Sequence, residues 1–249
     1  MTLRPSANAS ESRAGFSLQS QDCQLCGAWA DAVLCGDCRI ALPHRHGHRC
    51  PICDVAAEQD VPCGACLADP PHFDTTVSAF GYVFPLDRLM QSYKFRANLT
   101  LVDVFAEALA AQVRLASLPP PDCIVPMPLG RKRLAERGFN QAALLAAALG
   151  KSLAIPVRLH DLLRVRDTAP QSGLSRDARL KNVRGAFSGS ASVTGMHIAL
   201  VDDVMTTGAT LSEAARALKK AGAARVEAWV IARVMTGSTP ESSILNPES

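Results

Sequence analysis

Ile198-Ala199-Leu200-Val201-Asp202-Asp203-Val204-Met205-Thr206-Thr207-Gly208-Ala209-Thr210 is the stretch that decides the fold. The apolar residues of His197–Val201 read as a buried strand, and Asp202 and Asp203 follow at its carboxyl end, where open α/β sheets bind ligands. Thr206, Thr207, Gly208, Ala209 and Thr210 open the next helix, where backbone N–H groups and the helix dipole favour a phosphate. Gly208 removes the side chain that would block close approach, and the threonine hydroxyls add donors. Two acids beside a phosphate cradle need a different partner. The vicinal hydroxyls of a ribose 5-phosphate, together with a bound Mg²⁺, would supply one. The competing reading is an ordinary strand–turn–helix whose acids and threonines serve only as caps.

Working outward, β-like and helix-like segments alternate from about Phe73. Thr75–Val83 reads as a strand, Pro85–Phe95 as a short helix opening on proline, and Leu99–Ala116 as an amphipathic helix. Cys123–Val125 is a short buried strand running into Pro126-Met127-Pro128. Asn140–Leu149 and Ala209–Ala221 are helices, and Arg225–Ala232 is a last strand. Such alternation predicts an α/β fold, a parallel sheet flanked by helices. Arg164–Arg184 is polar and aperiodic and reads as a long loop, a length usually associated with function. Residues 1–20 and 237–249 read as disordered tails, leaving a cysteine-rich module over 21–70 and the α/β domain over 71–236.

Eight of the nine cysteines form four C-x-x-C pairs: Cys23/Cys26, Cys35/Cys38, Cys50/Cys53 and Cys63/Cys66. Glycine and proline replace aliphatic residues around them, so something other than a conventional core must hold this stretch. Each pair lets two thiolates grip one side of a metal ion, and two pairs complete a tetrahedral site. Two structural Zn²⁺ ions are expected, with four sulfurs leaving no position open for water. Disulfides and an iron–sulfur cluster are the alternatives. Sequential pairing closes the shortest loops, but spacing also permits a crossed one. His44, His46 and His48 read as a solvated loop, and Cys123 as a small buried hydrophobe.

The formal charge is +3, but eight thiolates around two dications would remove four charges net and leave −1. Global charge therefore carries no message about nucleic acid, whereas the local groups Arg131, Lys132, Arg133, Arg137 and Arg164 to Arg184 do. No apolar run approaches the ~20 residues of a spanning helix, and the N-terminus lacks the apolar run of a signal peptide. A cytoplasmic protein without membrane insertion is expected.

The stretch Ile198–Thr210 resembles the thirteen-residue signature of type I phosphoribosyltransferases. That resemblance implies phosphoribosyl pyrophosphate as ligand, with Asp202 and Asp203 on the ribose diol and Thr206 to Thr210 on the 5-phosphate. Purine-salvage members carry an aspartate where this chain has Thr206, so a purine acceptor is not implied. VPMPLGRKRLAERGFNQ, QSGLSRDARLKNVRGAF and the cysteine array together resemble the ComF family of competence-associated proteins, over nearly all of Cys23 to Val234. The loop Val125 to Leu129, including Pro126 and Met127, would then meet pyrophosphate, with Arg131, Arg133 and Arg137 neutralising it through forked bonds. Gln171, Arg176, Arg179 and Asn182 would lie in the loop that closes over the ligand and excludes water. Lys94, in Tyr93-Lys94-Phe95, is another position that resembles the family, without an assigned role; read by itself it is a solvated lysine flanked by core aromatics. The family resemblance also implies single-stranded DNA and DNA-uptake proteins as partners. Aromatic stacking platforms are few, and Trp29 reads as packed against its neighbours. Three functions follow as expectations: DNA uptake through single-strand handling, phosphoribosyl transfer to an unknown acceptor, or a metabolite sensor without turnover.

Overall fold

Residues 21–95, 98–166 and 182–234 are described by the computed structural model, and their centre is a four-stranded sheet. In chain order come the short strands β1 (Gln21–Asp22) and β2 (Trp29–Ala30), and the helices α1 (Gly36–Ile40) and α2 (Gly64–Ala68). They are followed by β3 (Thr75–Gly81), α3 (Leu86–Phe95), α4 (Leu101–Leu115), β4 (Cys123–Pro126), α5 (Arg131–Arg137) and α6 (Gln141–Leu153). The last elements are β5 (Leu162–Arg164), β6 (Phe187–Gly189), β7 (His197–Met205), α7 (Ala209–Lys220) and β8 (Arg225–Arg233).

The sheet order is β3-β8-β7-β4, and all three pairings are parallel. Strands buried on both faces need apolar residues at successive positions rather than alternate ones. β7 and β8 meet that need, with Ile198 to Val201 and Ala228 to Ala232 all buried. Period-two alternation then sorts these side chains. Ala199, Val201, Trp229 and Ile231 face α3, α4 and α6, whereas Ile198, Leu200, Val226, Ala228 and Val230 face α7. α4 buries Leu101, Val104, Phe105 and Leu109 at helical spacing, the stripe that lays it on the sheet.

Three features depart from expectation. β7 does not end at Val201 but continues to Met205, so both acids ride on the strand itself. Arg131–Arg137 forms a helix, stopped by Gly138 in the left-handed conformation at φ 76°. Finally, β5 and β6, at the two ends of the expected long loop, pair antiparallel, and the Arg166 guanidinium donates to the carbonyls of Asn182 and Arg184 at 3.0 and 2.7 Å.

The cysteine-rich segment wraps the outer edge of β3 and reaches both faces of the sheet. Cys23, Leu34, Cys38 and Leu42 join the cluster of α3, α4 and α6, while Cys50, Cys53, Val55 and Cys66 join that of α7. Gly81 N–H donates to the Pro43 carbonyl at 2.9 Å, and His44 forms an antiparallel bridge with Phe80. Among the described residues no helix is long and apolar enough to cross a membrane.

Candidate ligand cavity and thiolate sites

At the carboxyl ends of β7 and β4 lies a cavity of about 340 Å³, within the size range of small-molecule sites. One wall is Asp202 to Thr206 with Gly208 to Leu211, and the opposite wall is Met127, Pro128 and Leu129. Tyr82, Lys94, Arg133, Arg137 and Arg164 complete the lining. Gly208 caps α7 at φ +82°, and a Cβ there would stand 2.7 Å from Met205 Cε. Only glycine suits both the backbone and the space. The loop across the cavity is held by Asn140, whose Nδ2 donates to the Met127 carbonyl at 3.0 Å while its Oδ1 accepts from Ala142 N–H at 3.0 Å as the cap of α6.

The acids and cations face each other. Lys94 Nζ stands 3.0 Å from Asp203 Oδ1, the two side chains 21% and 15% exposed. Lys94 is therefore not the solvated lysine of the sequence expectation. Its neighbour Tyr93 is locked, donating from its hydroxyl to the Gln141 carbonyl at 2.9 Å and meeting Phe105 edge-on at 5.4 Å. Gln141 Nε2 also reaches the Lys94 carbonyl at 3.3 Å. Burial, then the charge of Asp203, pushes the Asp202 carboxyl up to about 7, against the pull of Asp203 N–H, Lys94 and Arg164. Burial lowers the Arg137 pKa while Asp203 draws it back. Burial likewise raises the Tyr82 phenol. Arg164 lies over the Phe187 ring at 5.4 Å, a cation–π contact that orients it. An array of this kind offers a cation-rich wall for phosphate oxygens and a carboxylate pair for hydroxyls or a divalent ion.

Of the residues singled out in the sequence, Asp202, Asp203, Thr206, Gly208, Ala209, Thr210, Met127, Arg133 and Arg137 line this one cavity. Thr207 lines an adjoining pocket beside α7, where its Oγ1 accepts from Ala209 N–H at 3.4 Å. Arg133 and Arg137 share one face of α5 by their four-residue spacing. Arg131 and Pro126 instead line a groove with Leu134, Leu159, Leu163 and Val165. Gln171, Arg176 and Arg179 lie outside the described residues. Tyr82 and Arg164 were missed as lining residues. The Tyr82 position carried no signal, whereas Arg164 stood in a basic run at the foot of the loop.

The cysteines group sequentially. Cys23, Cys26, Cys35 and Cys38 form one set and Cys50, Cys53, Cys63 and Cys66 the other, all sulfurs of a set within 4.8 Å of one another. The crossed arrangement is excluded. Cys26 and Cys35 sulfurs are 3.7 Å apart, as are those of Cys53 and Cys63. A disulfide needs about 2.05 Å, whereas sulfurs about 2.3 Å from one tetrahedral ion stand roughly 3.8 Å apart. Both sets thus fit a single metal ion. Burial opposes ionisation of Cys23 and Cys50, but N–H groups of their own knuckles and of Cys35 and Cys63 overcome it, bringing the thiols down to about 6 and about 7. Those N–H groups point at the sulfurs at 3.4 Å (Cys35 to Cys23) and 3.3 Å (Cys63 to Cys50). His44 and His48 are occupied elsewhere, on the Arg39 carbonyl and on Asp60. Cys123 is fully buried, its thiol pushed by desolvation up to about 11. Trp29, expected to pack, is 72% exposed.

Comparison with known proteins agrees with this architecture. Residues 134–245 match the model of the phosphoribosyl transferase domain family. The DNA utilization protein YhgH of Salmonella typhi is 36% identical over 221 residues, spanning 81% of this chain and 97% of that protein. Competence protein F of Haemophilus influenzae is 38% identical over 178 residues, 69% of this chain and 78% of that protein. Competence protein ComFC of Bacillus subtilis is 30% identical over 210 residues, 82% of this chain and 85% of that protein.

Proposed function

The chain belongs to the ComF family, and from that premise we propose that its cavity binds phosphoribosyl pyrophosphate with Mg²⁺ in the service of cytoplasmic DNA uptake or utilization. One observation carries the reading: Asp202 and Asp203 share a cavity with the glycine-opened start of α7 and with Lys94, Arg133, Arg137 and Arg164. In this reading Asp202 and Asp203 hold the ribose diol, Thr206 to Thr210 the 5-phosphate, and Met127 with Arg133 and Arg137 the pyrophosphate. Mg²⁺ bound with the ligand would offset the charge of the pyrophosphate. Lys94 must release Asp203 or share it for the diol to bind. Both four-cysteine sites hold structural Zn²⁺.

Calorimetry with phosphoribosyl pyrophosphate and Mg²⁺ tests the ligand. Wild type should bind with one site per chain, and Asp203→Ala should lose at least tenfold in affinity, about 1.4 kcal/mol. No heat from wild type would sink the reading. Thr206 stands where an acid would serve as general base, so no catalytic residue is assigned. Pyrophosphate release across a panel of bases and amines separates a transferase from a sensor.

A second surface favours single-stranded DNA. Arg131, Arg164 and Arg166 border the apolar groove of Leu134, Leu159, Leu163 and Val165, a basic rim that would track phosphates beside an apolar floor. Binding there should weaken steeply with salt as counterions are released. Arg131→Glu with Lys132→Glu should flatten that salt slope by about two ions.

A further inference from the structure

Three successive carbonyls of the Cys50–Cys53 knuckle are held by the sheet that carries the ligand cavity. Thr75 Oγ1 donates to Pro51 at 2.6 Å, Thr76 Oγ1 to Ile52 at 2.8 Å, and Arg233 Nε to Cys53 at 2.9 Å. Arg233 ends β8 and is 4% exposed. Its Nη1 donates to the carbonyls of Met205 at 3.2 Å, Thr206, and Val234 at 2.9 Å. One buried planar cation therefore ties Cys53, a member of the second four-cysteine site, to residues 205 and 206, where β7 turns into the phosphate loop.

The second four-cysteine unit also leans on the other side of that loop. Phe73 is buried seven residues after Cys66, and its ring lies 3.6 Å from where a Gly208 Cβ would sit. His72 N–H donates to Ser212 Oγ at 3.0 Å in the first turn of α7. The first four-cysteine unit makes no comparable approach among the described residues. It packs with α3 and α4, through Arg39 to Glu107 at 3.1 Å and Asn98 to Gln24 at 2.8 Å.

A guanidinium fork fixes the relative positions of its acceptors, and a desolvated cation keeps its stability only while those acceptors stay in place. The Cys53 carbonyl can hold its end only while the thiolate cluster is ordered, and that order depends on metal. A phosphate cradle is equally exacting, since its N–H groups must converge on one anion.

We infer that the second four-cysteine site, acting through Arg233 as a positioning residue, sets the affinity of the phosphate loop for a sugar phosphate, while the first four-cysteine site does not. The inference rests on the sugar-phosphate reading proposed above. Coupling of this kind is reciprocal. Ligand must tighten the second metal as much as that metal tightens ligand.

The test uses full-length, metal-loaded protein. Binding of phosphoribosyl pyrophosphate with Mg²⁺ is first measured by calorimetry, and absence of binding overturns the sugar-phosphate reading and this inference with it. Metal partitioning to a chromophoric chelator is then measured at equilibrium with and without saturating ligand. Bound ligand should raise the affinity for one metal equivalent about tenfold and leave the other unchanged. Ligand that binds while both equivalents partition as before overturns the coupling alone. Arg233→Met should abolish that gain in metal affinity and weaken ligand about tenfold or more, and Arg233→Lys, which keeps charge but not the fork, should restore little. Cys26→Ser, in the first site, should leave ligand affinity within about twofold. Should Arg233→Met fail to fold, the equilibrium metal partitioning of the wild type still decides.

Discussion

Asp202 illustrates how much a single side chain in this cavity is held away from its solution behaviour. Its carboxyl titrates near 7 rather than 3.8, so the folded state binds a proton more readily than the unfolded chain between those values. Stability must then fall as pH rises from about 4 to 7. Asp202→Asn removes that penalty. In the absence of ligand it should raise Tm at pH 8 by about 2–4 °C per kcal/mol gained, with the gain vanishing below pH 4 in thermal melts across pH. Gly208 makes the opposite case. Gly208→Ala adds a Cβ at φ +82° and 2.7 Å from Met205 Cε, and should destabilise by about 1–3 kcal/mol, read as a lower urea midpoint, together with weaker phosphate binding.

At the scale of elements, the β5–β6 hairpin is joined to α7 by contacts that leave no slack. A Cβ on Gly189 would stand 2.8 Å from the Ala217 carbonyl and 2.9 Å from Ala221 Cβ, so Gly189→Ala should lift β6 from the helix and lower Tm by several degrees, about 2 kcal/mol in cost. Glu213 makes the second join, accepting from Gly185 N–H at 2.6 Å while Arg216 grips it at 2.7 and 2.8 Å. These joins were not legible in the sequence. The four sheet strands were: β4, β7 and β8 announce themselves as apolar runs around Ile124, Leu200 and Val230, and β3 reads as a strand although it also buries Thr76 and Ser78. The extension of β7 through Asp202 and Asp203 was hidden by the acids, whose burial is compensated by Lys94 and Arg164 rather than by apolar character. α5 was hidden by its charge, since a helix with no buried residue has no hydrophobic stripe to read. Lys94 was misread because nothing in Tyr93-Lys94-Phe95 tells which acid, if any, the amine will meet across the fold.

For the whole molecule, the cysteine-rich segment and the α/β sheet share their buried clusters rather than meeting at a hinge. Structural zinc contributes about 10–16 kcal/mol of apparent binding energy in small fingers, comparable with the net stability of a domain. With zinc held as proposed, stripping both ions should therefore unsettle the sheet and not only the knuckles. Circular dichroism with strong chelator should show one lowered, broadened melt in place of a sharp one. The placement of that segment along β3 has one more consequence. β3 is an outer strand, and residues 43–44 and the Pro51–Ile52 turn occupy its free side. Once the thiolates let go, that side becomes a bare template of main-chain donors and acceptors on which a second copy could add its own strand, so oxidised or demetallated protein should self-associate in light scattering, and loss of metal in the cell would be met as aggregation before it was met as lost ligand binding.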